Sequence, residues 1–384
     1  MLVRTVLTQF GRIGAVALLY CGMATVASTE EIAQASAPHI AVILPLDAKG
    51  LEGPVNAVWA GIQAAESKLG DERTPKVRLY VTGEQAEDSV KAYAKAIEAG
   101  AVGMIGPLTR QGVNAIATRT KPEVPVLALN SVEGKPNSHL FSLSLAIEDE
   151  ARQTARLMYE AGVNRPMVVE GEGPLAKRMR EAFAAEWHAL AKSAPQIGML
   201  GSTRESYAKL RDALLKQTAD AAFLATTDLQ ARMIRPYLGQ SAKVYATSQV
   251  WNGKFALAGA NLDLAGVRFV DMPWLLDPWH PDNTVFPRAE PALPASLDRL
   301  YALGIDAYRL VLLLMVSNPD AAIEMQGVTG TLKLMPDHRF VRDLVAGEIG
   351  VGPATAPPEP AGKATDAAEA VSPATLPPTG VQVK

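Results

Sequence analysis

Five histidines stand at positions 39, 139, 188, 280 and 338, and one cysteine at position 21. Protein metal sites draw on His, Cys and carboxylates at short, recurring spacings. No such spacing links these histidines, and each is read as a surface or satisfied side chain. Gly171-Glu172-Gly173-Pro174 lies between an apolar run and an amphipathic one, where backbone amides could meet an anion. It lacks the third glycine of a dinucleotide loop, and Pro174 reads better as the first residue of a helix. No Walker A sequence and no G-x-S-x-G elbow occur, and no nucleophile has an obvious base. Glu148 and Glu150 fall at a helix start, where acids complement the helix dipole. The expectation is a protein without a catalytic site, metal or cofactor.

The chemistry left is recognition. Thr109 and Arg110, Asn130 and Ser131, Thr227 and Asp228, and Ser248 and Gln249 each follow the end of an apolar run. In open parallel sheets, ligands sit beyond the carboxyl ends of the strands. These eight residues are therefore the candidate rim of a polar cleft for a small ligand. Ser, Thr, Asp and Asn are also the preferred N-caps of helices that follow strands, which accounts for any one of them equally well.

Placing them requires a particular set of elements. Residues 39–46 form a continuously apolar run, a strand with neither face toward water, and 55–69 carry Val55, Val58, Trp59, Ile62 and Leu69 at helical spacing. Strand and helix then alternate through 124–130, restart at 139–145, and continue as a second series to 244–248. That rhythm predicts right-handed βαβ units and parallel sheets covered on both faces. The fold class is α/β, with two doubly wound parallel-sheet lobes joined by hinge crossovers. The expected lobes are 38–145 with 251–327, and 146–250 with 328–350. A further strand is expected at 267–272. Residues 297–316 read as a core helix with Leu312 on its apolar face and Arg309 outward. Residues 330–334 and 340–344 read as a hairpin around Pro336 and Asp337.

The chain has 384 residues, more than one core usually serves, and its 48% hydrophobic and 20% charged content is ordinary for a soluble protein. A formal charge of −3 lacks the basic excess expected of a nucleic-acid binder. Arg4 and Arg12 precede the apolar run 13–21, which is shorter than the roughly 20 residues a membrane span needs. Residues 1–27 are read as an export signal. Two processing routes stay open: cleavage after Ala27, or lipidation of Cys21, which would anchor the protein to the outer membrane. No other membrane contact is expected. Residues 351–384, rich in Pro and Ala, are read as a disordered tail.

Several strings carry a resemblance: EDEARQ at 148–153, VYATSQ at 244–249, LAGVRFVDMPWLL at 264–276 and RLYALGIDAY at 299–308. Over roughly residues 38 to 345 the chain resembles the LppC-type penicillin-binding-protein activator family, whose domain is type I periplasmic binding protein-like. Asp271, Pro273, Trp274, Tyr301 and Asp306 lie within the matching strings. The resemblance implies a non-enzymatic periplasmic regulator that contacts a class A penicillin-binding protein and stimulates peptidoglycan synthesis. Well-known members carry a helical-repeat domain ahead of this one, whereas here the first strand closely follows the export segment. The alternative is a solute-binding protein for an amino acid or similar small polar ligand. An apolar DMPWLL segment exposed beside the cleft would favour the protein partner.

Overall fold

An apolar run without polar alternation can be a strand only where both faces are covered. β1 (His39–Leu44) is buried at every residue, with a hydrophobic cluster on each side. The computed structural model describes residues 37–353, apart from 133, 135–137, 217, 240, 255–258 and 319–321. The export segment 1–27 with Cys21, and the tail beyond 353, lie outside the described residues.

Around β1 stand β2 (Lys76–Val81), β3 (Ala101–Ile105), β4 (Val126–Ala128) and β5 (Leu140–Leu143), all parallel, in spatial order 2-1-3-4-5. Helices α1 (Glu52–Leu69), α2 (Ala86–Glu98) and α3 (Arg110–Arg119) make the crossovers. The chain then leaves for a second sheet. There α4 (Ile147–Glu160), α5 (Pro174–Ala191), α6 (Arg204–Leu215) and α7 (Asp228–Ile234) alternate with β6 (Pro166–Glu170), β7 (Gln196–Met199), β8 (Ala221–Ala225) and β9 (Lys243–Thr247). β10 (Val267–Asp271) adds parallel to β9. The path returns to the first lobe through the short helices α8 (Pro273–Leu276) and α9 (Asp282–Val285) and the long α10 (Ala295–Val316). Next, β11 (Glu324–Gly327), β12 (Gly330–Leu334) and β13 (Arg339–Asp343) extend the first sheet, with β13 parallel to β5. Finally β14 (Val345–Glu348) and β15 (Gly352–Pro353) run antiparallel at the edge beyond β10.

The described chain thus crosses between lobes three times: at 144–146, at Met272 and at Leu344. This corrects the expected lobe boundaries. β10, assigned above to the first lobe, continues the second sheet; β12 and β13, assigned to the second, belong to the first. Local sequence marks a strand but not its partner: β13 pairs with the far-distant β5, while β10 adds beside β9, the strand just before it. The 330–344 hairpin forms as expected. Residues 352–353, expected to begin the tail, pair with β14 instead.

The core of the first lobe is built on α1 crossing α10. Gly61 and Gly304 meet at the crossing, and a Cβ on Gly304 would run into the Val58 carbonyl, one on Gly61 into the Tyr301 carbonyl. With backbone on backbone, no side chain can swing aside. Gly304→Ala should therefore cost on the order of 3 kcal/mol, the upper range for overpacking. Denaturant unfolding checks this, and a midpoint equal to that of the unaltered chain would contradict it.

Arg309 is not the outward surface residue that the helical pattern suggested. It pairs with Asp282 at 2.8 Å and with the fully buried Asp306 at 3.1 Å. Burial drives the Asp306 pKa upward, opposed by Arg309 and by bonds from Thr329 and Val328. Leu312 is half-buried against the same core. Arg309→Ala leaves the Asp306 charge with less compensation and should cost about 2 kcal/mol, discounted from a fully buried pair for the partial exposure of Arg309. Leu312→Ala should cost about the same, the low end for a core truncation. Urea melts of the two variants test this; a cost confined to Leu312 would contradict it.

Candidate functional site

The carboxyl ends of both sheets face each other across the crossings, and two connected hollows lie between them. One, of about 340 Å³, is lined by Arg110, Asn130, Ser131, Glu148, Arg178 and Gln249 among others. The other, of about 620 Å³, is lined by Thr227, Asp228, Ser248, Gln249 and Trp251, with Glu150 and Arg299 also on its wall. Leu145, Ile147, Gln249 and Leu300 border both. Seven of the eight rim residues expected from sequence therefore line one interlobe cleft; Thr109 is the exception.

Most of these side chains are already engaged. Thr109 accepts from the Gly112 N–H at 3.2 Å as the N-cap of α3. Thr227 forms a capping box with Gln230 at the start of α7. Asn130 donates to the Leu108 carbonyl at 3.0 Å and accepts from the Ser131 N–H at 2.9 Å. Asp228 pairs with Arg232 at 3.0 Å, and Glu148 with Arg178 at 2.6 Å. Gln249 and Arg110 are exposed, and Arg110 makes no ion pair among the described residues.

Beneath the cleft lies a cluster that sequence reasoning missed. Arg299 of α10 grips Asp271, at the end of β10, with its Nη2 at 2.6 Å and its Nε at 3.1 Å. The same guanidinium donates to the Ser248 carbonyl at 3.2 Å. The Ser248 N–H donates to Glu150 Oε2 at 2.8 Å. Buried Arg342 of β13 adds its charge, and its Nη2 has no partner. Gln153 completes the arrangement, donating to the Arg342 carbonyl and accepting from the Leu344 N–H, both at 2.8 Å. Asp149 lies 3.6 Å from Arg339. The cluster thus ties first-lobe residues (Arg299, Arg339, Arg342) to second-lobe residues (Asp149, Glu150, Ser248, Asp271) beside all three crossings.

The residues of the matching strings serve this hinge and the core beside it. Met272, Trp274 and Leu276 are each 1% exposed. The DMPWLL segment is therefore no docking patch, because its side chains pack into the lobe cores. Trp274 donates to Asp298 at 2.8 Å, with the Arg288 guanidinium 3.6 Å over its ring. Pro273 is buried at the start of α8, and Tyr301 donates to the Pro287 carbonyl at 2.7 Å. Asp306 accepts from the Thr329 N–H and hydroxyl, at 2.8 and 2.7 Å. These side chains hold structure in place.

Burial is the main reason that the Glu150 carboxyl is pushed up to about 7; Asp271 adds to the shift, while Arg299 and Arg342 oppose it. In an unfolded chain a glutamate titrates near about 4.3. Between the two values the folded state holds a proton that the unfolded state has released. The associated stability is full below the unfolded pKa and is lost as pH rises through the folded one. The melting temperature should accordingly fall from pH 5.5 to pH 8, and Glu150→Gln should remove much of that fall. Calorimetry across that range decides; the same slope in both proteins would contradict this reading of Glu150.

Two lobes, three crossings and an interlobe cleft define a type I periplasmic binding protein-like scaffold. The family model described as "LppC putative lipoprotein" matches residues 23–352, and the chain belongs to that family. Among curated relatives, penicillin-binding protein activator LpoA of Edwardsiella ictaluri is 28% identical over 365 residues, covering 80% of this chain and 50% of the relative. The chain spans about half the length of the curated relatives it matches. A solved protein of Chromobacterium violaceum, described as a "putative branched-chain amino acid ABC transporter", is 38% identical with a TM-score of 0.71, covering 81% of this chain and 100% of that one. The C-domain of LpoA from Haemophilus influenzae, described as a regulator of PBP1A, has a TM-score of 0.70 at 23% identity, covering 83% of this chain and 100% of that one. At that identity the likeness speaks for the fold alone.

Proposed function

We propose that this chain is a non-enzymatic regulator of peptidoglycan synthesis, exported to the periplasm, that binds and stimulates a class A penicillin-binding protein. The observation that carries the reading is kinship: relatives named as penicillin-binding protein activators match across 77% and 80% of the chain. The cleft adds a physical argument. A zwitterionic amino acid needs a cation or hydrogen-bond donors for its carboxylate and an anion with charge to spare for its ammonium. Here Arg110 is left for a carboxylate, but the cleft acids Glu148 and Asp228 already have arginine partners within the chain, and the Thr227 hydroxyl caps a helix.

One observation favours the second reading, a solute-binding protein. The Chromobacterium violaceum protein, described with a transporter's function, aligns over its whole length. The two readings separate in one pair of experiments. Common amino acids at a hundredfold excess over a dissociation constant would stabilise a solute receptor by about 2.7 kcal/mol. The expected outcome is no melting shift with any of them, together with direct binding to the purified periplasmic part of a class A penicillin-binding protein. A clear shift with one amino acid and no binding to the synthase would reverse the order.

A further inference from the structure

A separate hollow lies away from the cleft. A groove of about 760 Å³ runs beside β2 at the outer edge of the first sheet, following that strand from Arg78 to Gly83 without a gap. On its inner side β2 pairs in parallel with β1, from Lys76 opposite His39 to Val81 opposite Leu44. Thr82, just beyond, donates to the Leu44 carbonyl at 2.9 Å and accepts from the Asp47 N–H at 3.2 Å. That fixes the alternation. Even-numbered residues bond inward, and Val77, Leu79 and Val81 turn their N–H and C=O groups away from the sheet. The Val77 N–H is taken by Glu66 Oε1 of α1 at 2.9 Å. Among the described residues, nothing takes the outward groups of Leu79 and Val81.

Helix α2 forms the far wall. Lys91 and Lys95, one turn apart and exposed, line the groove with Arg78. The acids Asp47 and Asp88 lie at its other end, Asp47 bonded to Thr82 and Asp88 beside Gly83. Unspent backbone donors and acceptors at strand spacing match only another extended backbone. We propose that this edge is the docking site for an extended, acidic segment of a protein partner. The segment adds as a further strand against Leu79 and Val81 and sets its carboxylates toward Lys91 and Lys95. The proposal rests on the activator reading, so the segment belongs to the periplasmic part of the synthase.

The test uses the full mature chain, with the purified periplasmic part of a class A penicillin-binding protein as the probe. Val81→Pro removes one outward donor and blocks strand addition while leaving every bond to β1 in place. The double variant Lys91→Glu/Lys95→Glu reverses two exposed charges and should melt like the unaltered chain. The expected result is a loss of affinity of about tenfold for each, with the lysine variant also losing salt dependence. Lys177→Glu/Lys216→Glu, exposed but remote from the groove, should bind normally. If Val81→Pro does not fold, a photo-crosslinking residue at Val81 replaces it, and its adduct should carry the synthase. Wild-type affinity in both groove variants, or no synthase adduct from Val81, overturns the docking site while leaving the activator reading intact. Failure of the unaltered chain to bind the synthase overturns both. Self-association abolished by Val81→Pro, with synthase binding unchanged, would assign the edge to a second copy and overturn the proposal.

Discussion

The bidentate contact of Arg299 with Asp271 organises much of what surrounds it. It joins the longest helix of the first lobe to the last parallel strand of the second, at the point where the chain crosses back. Both partners are largely withdrawn from water, with side-chain exposures of 12% and 2%. Burying such a pair is costly unless its remaining hydrogen-bonding capacity is met. It is largely met here: Asp271 also accepts from the Met272 N–H at 2.8 Å, and Arg299 also reaches the Ser248 carbonyl. Removing either partner would strand a charge beside Glu150 and Arg342. The hinge is therefore specified by charge where the lobes are specified by apolar packing.

The same cluster bears on what the cleft can do. Interlobe ligand sites work by closing two surfaces around a solute, which demands side chains free to meet it. In this protein four of the eight rim residues are committed elsewhere: Thr109 and Thr227 cap helices, Asn130 braces a loop and Asp228 pairs with Arg232. The cleft remains open space, but its acids Glu148 and Asp228 are already paired within the second lobe. An edge strand with unspent backbone groups, on the outer side of the first lobe, is better equipped to meet another chain.

Much of the lobe architecture was legible from periodicity. The apolar run at β1, the alternation through β9 and the α10 helix all followed from spacing, because a strand buried on both faces and an amphipathic helix leave distinct local patterns. Sheet membership did not follow. Nothing local in Val267–Asp271 tells it to join β9, and nothing in Arg339–Asp343 tells it to join β5. The hinge was hidden for the same reason. Glu150 meets Ser248 across 98 residues of chain, so it looked like an ordinary helix-start residue, and Gln153 meets Arg342 across 189. Arg309 was misjudged because the helical wheel counted only apolar neighbours, while its partner Asp306 faces the core as a charge. The cleft rim was found as positions, but strand topology placed those residues there, and the N-cap account explained Thr109 and Thr227.

The account stands on the claim that this scaffold acts on a synthase and not on a solute. The most direct measurement is the rate of peptide crosslinking by a purified class A penicillin-binding protein, with and without the mature chain, on a lipid-linked precursor. The account predicts a faster rate that saturates as the chain is added and is indifferent to added amino acids. A rate unchanged at every concentration of the chain would contradict it.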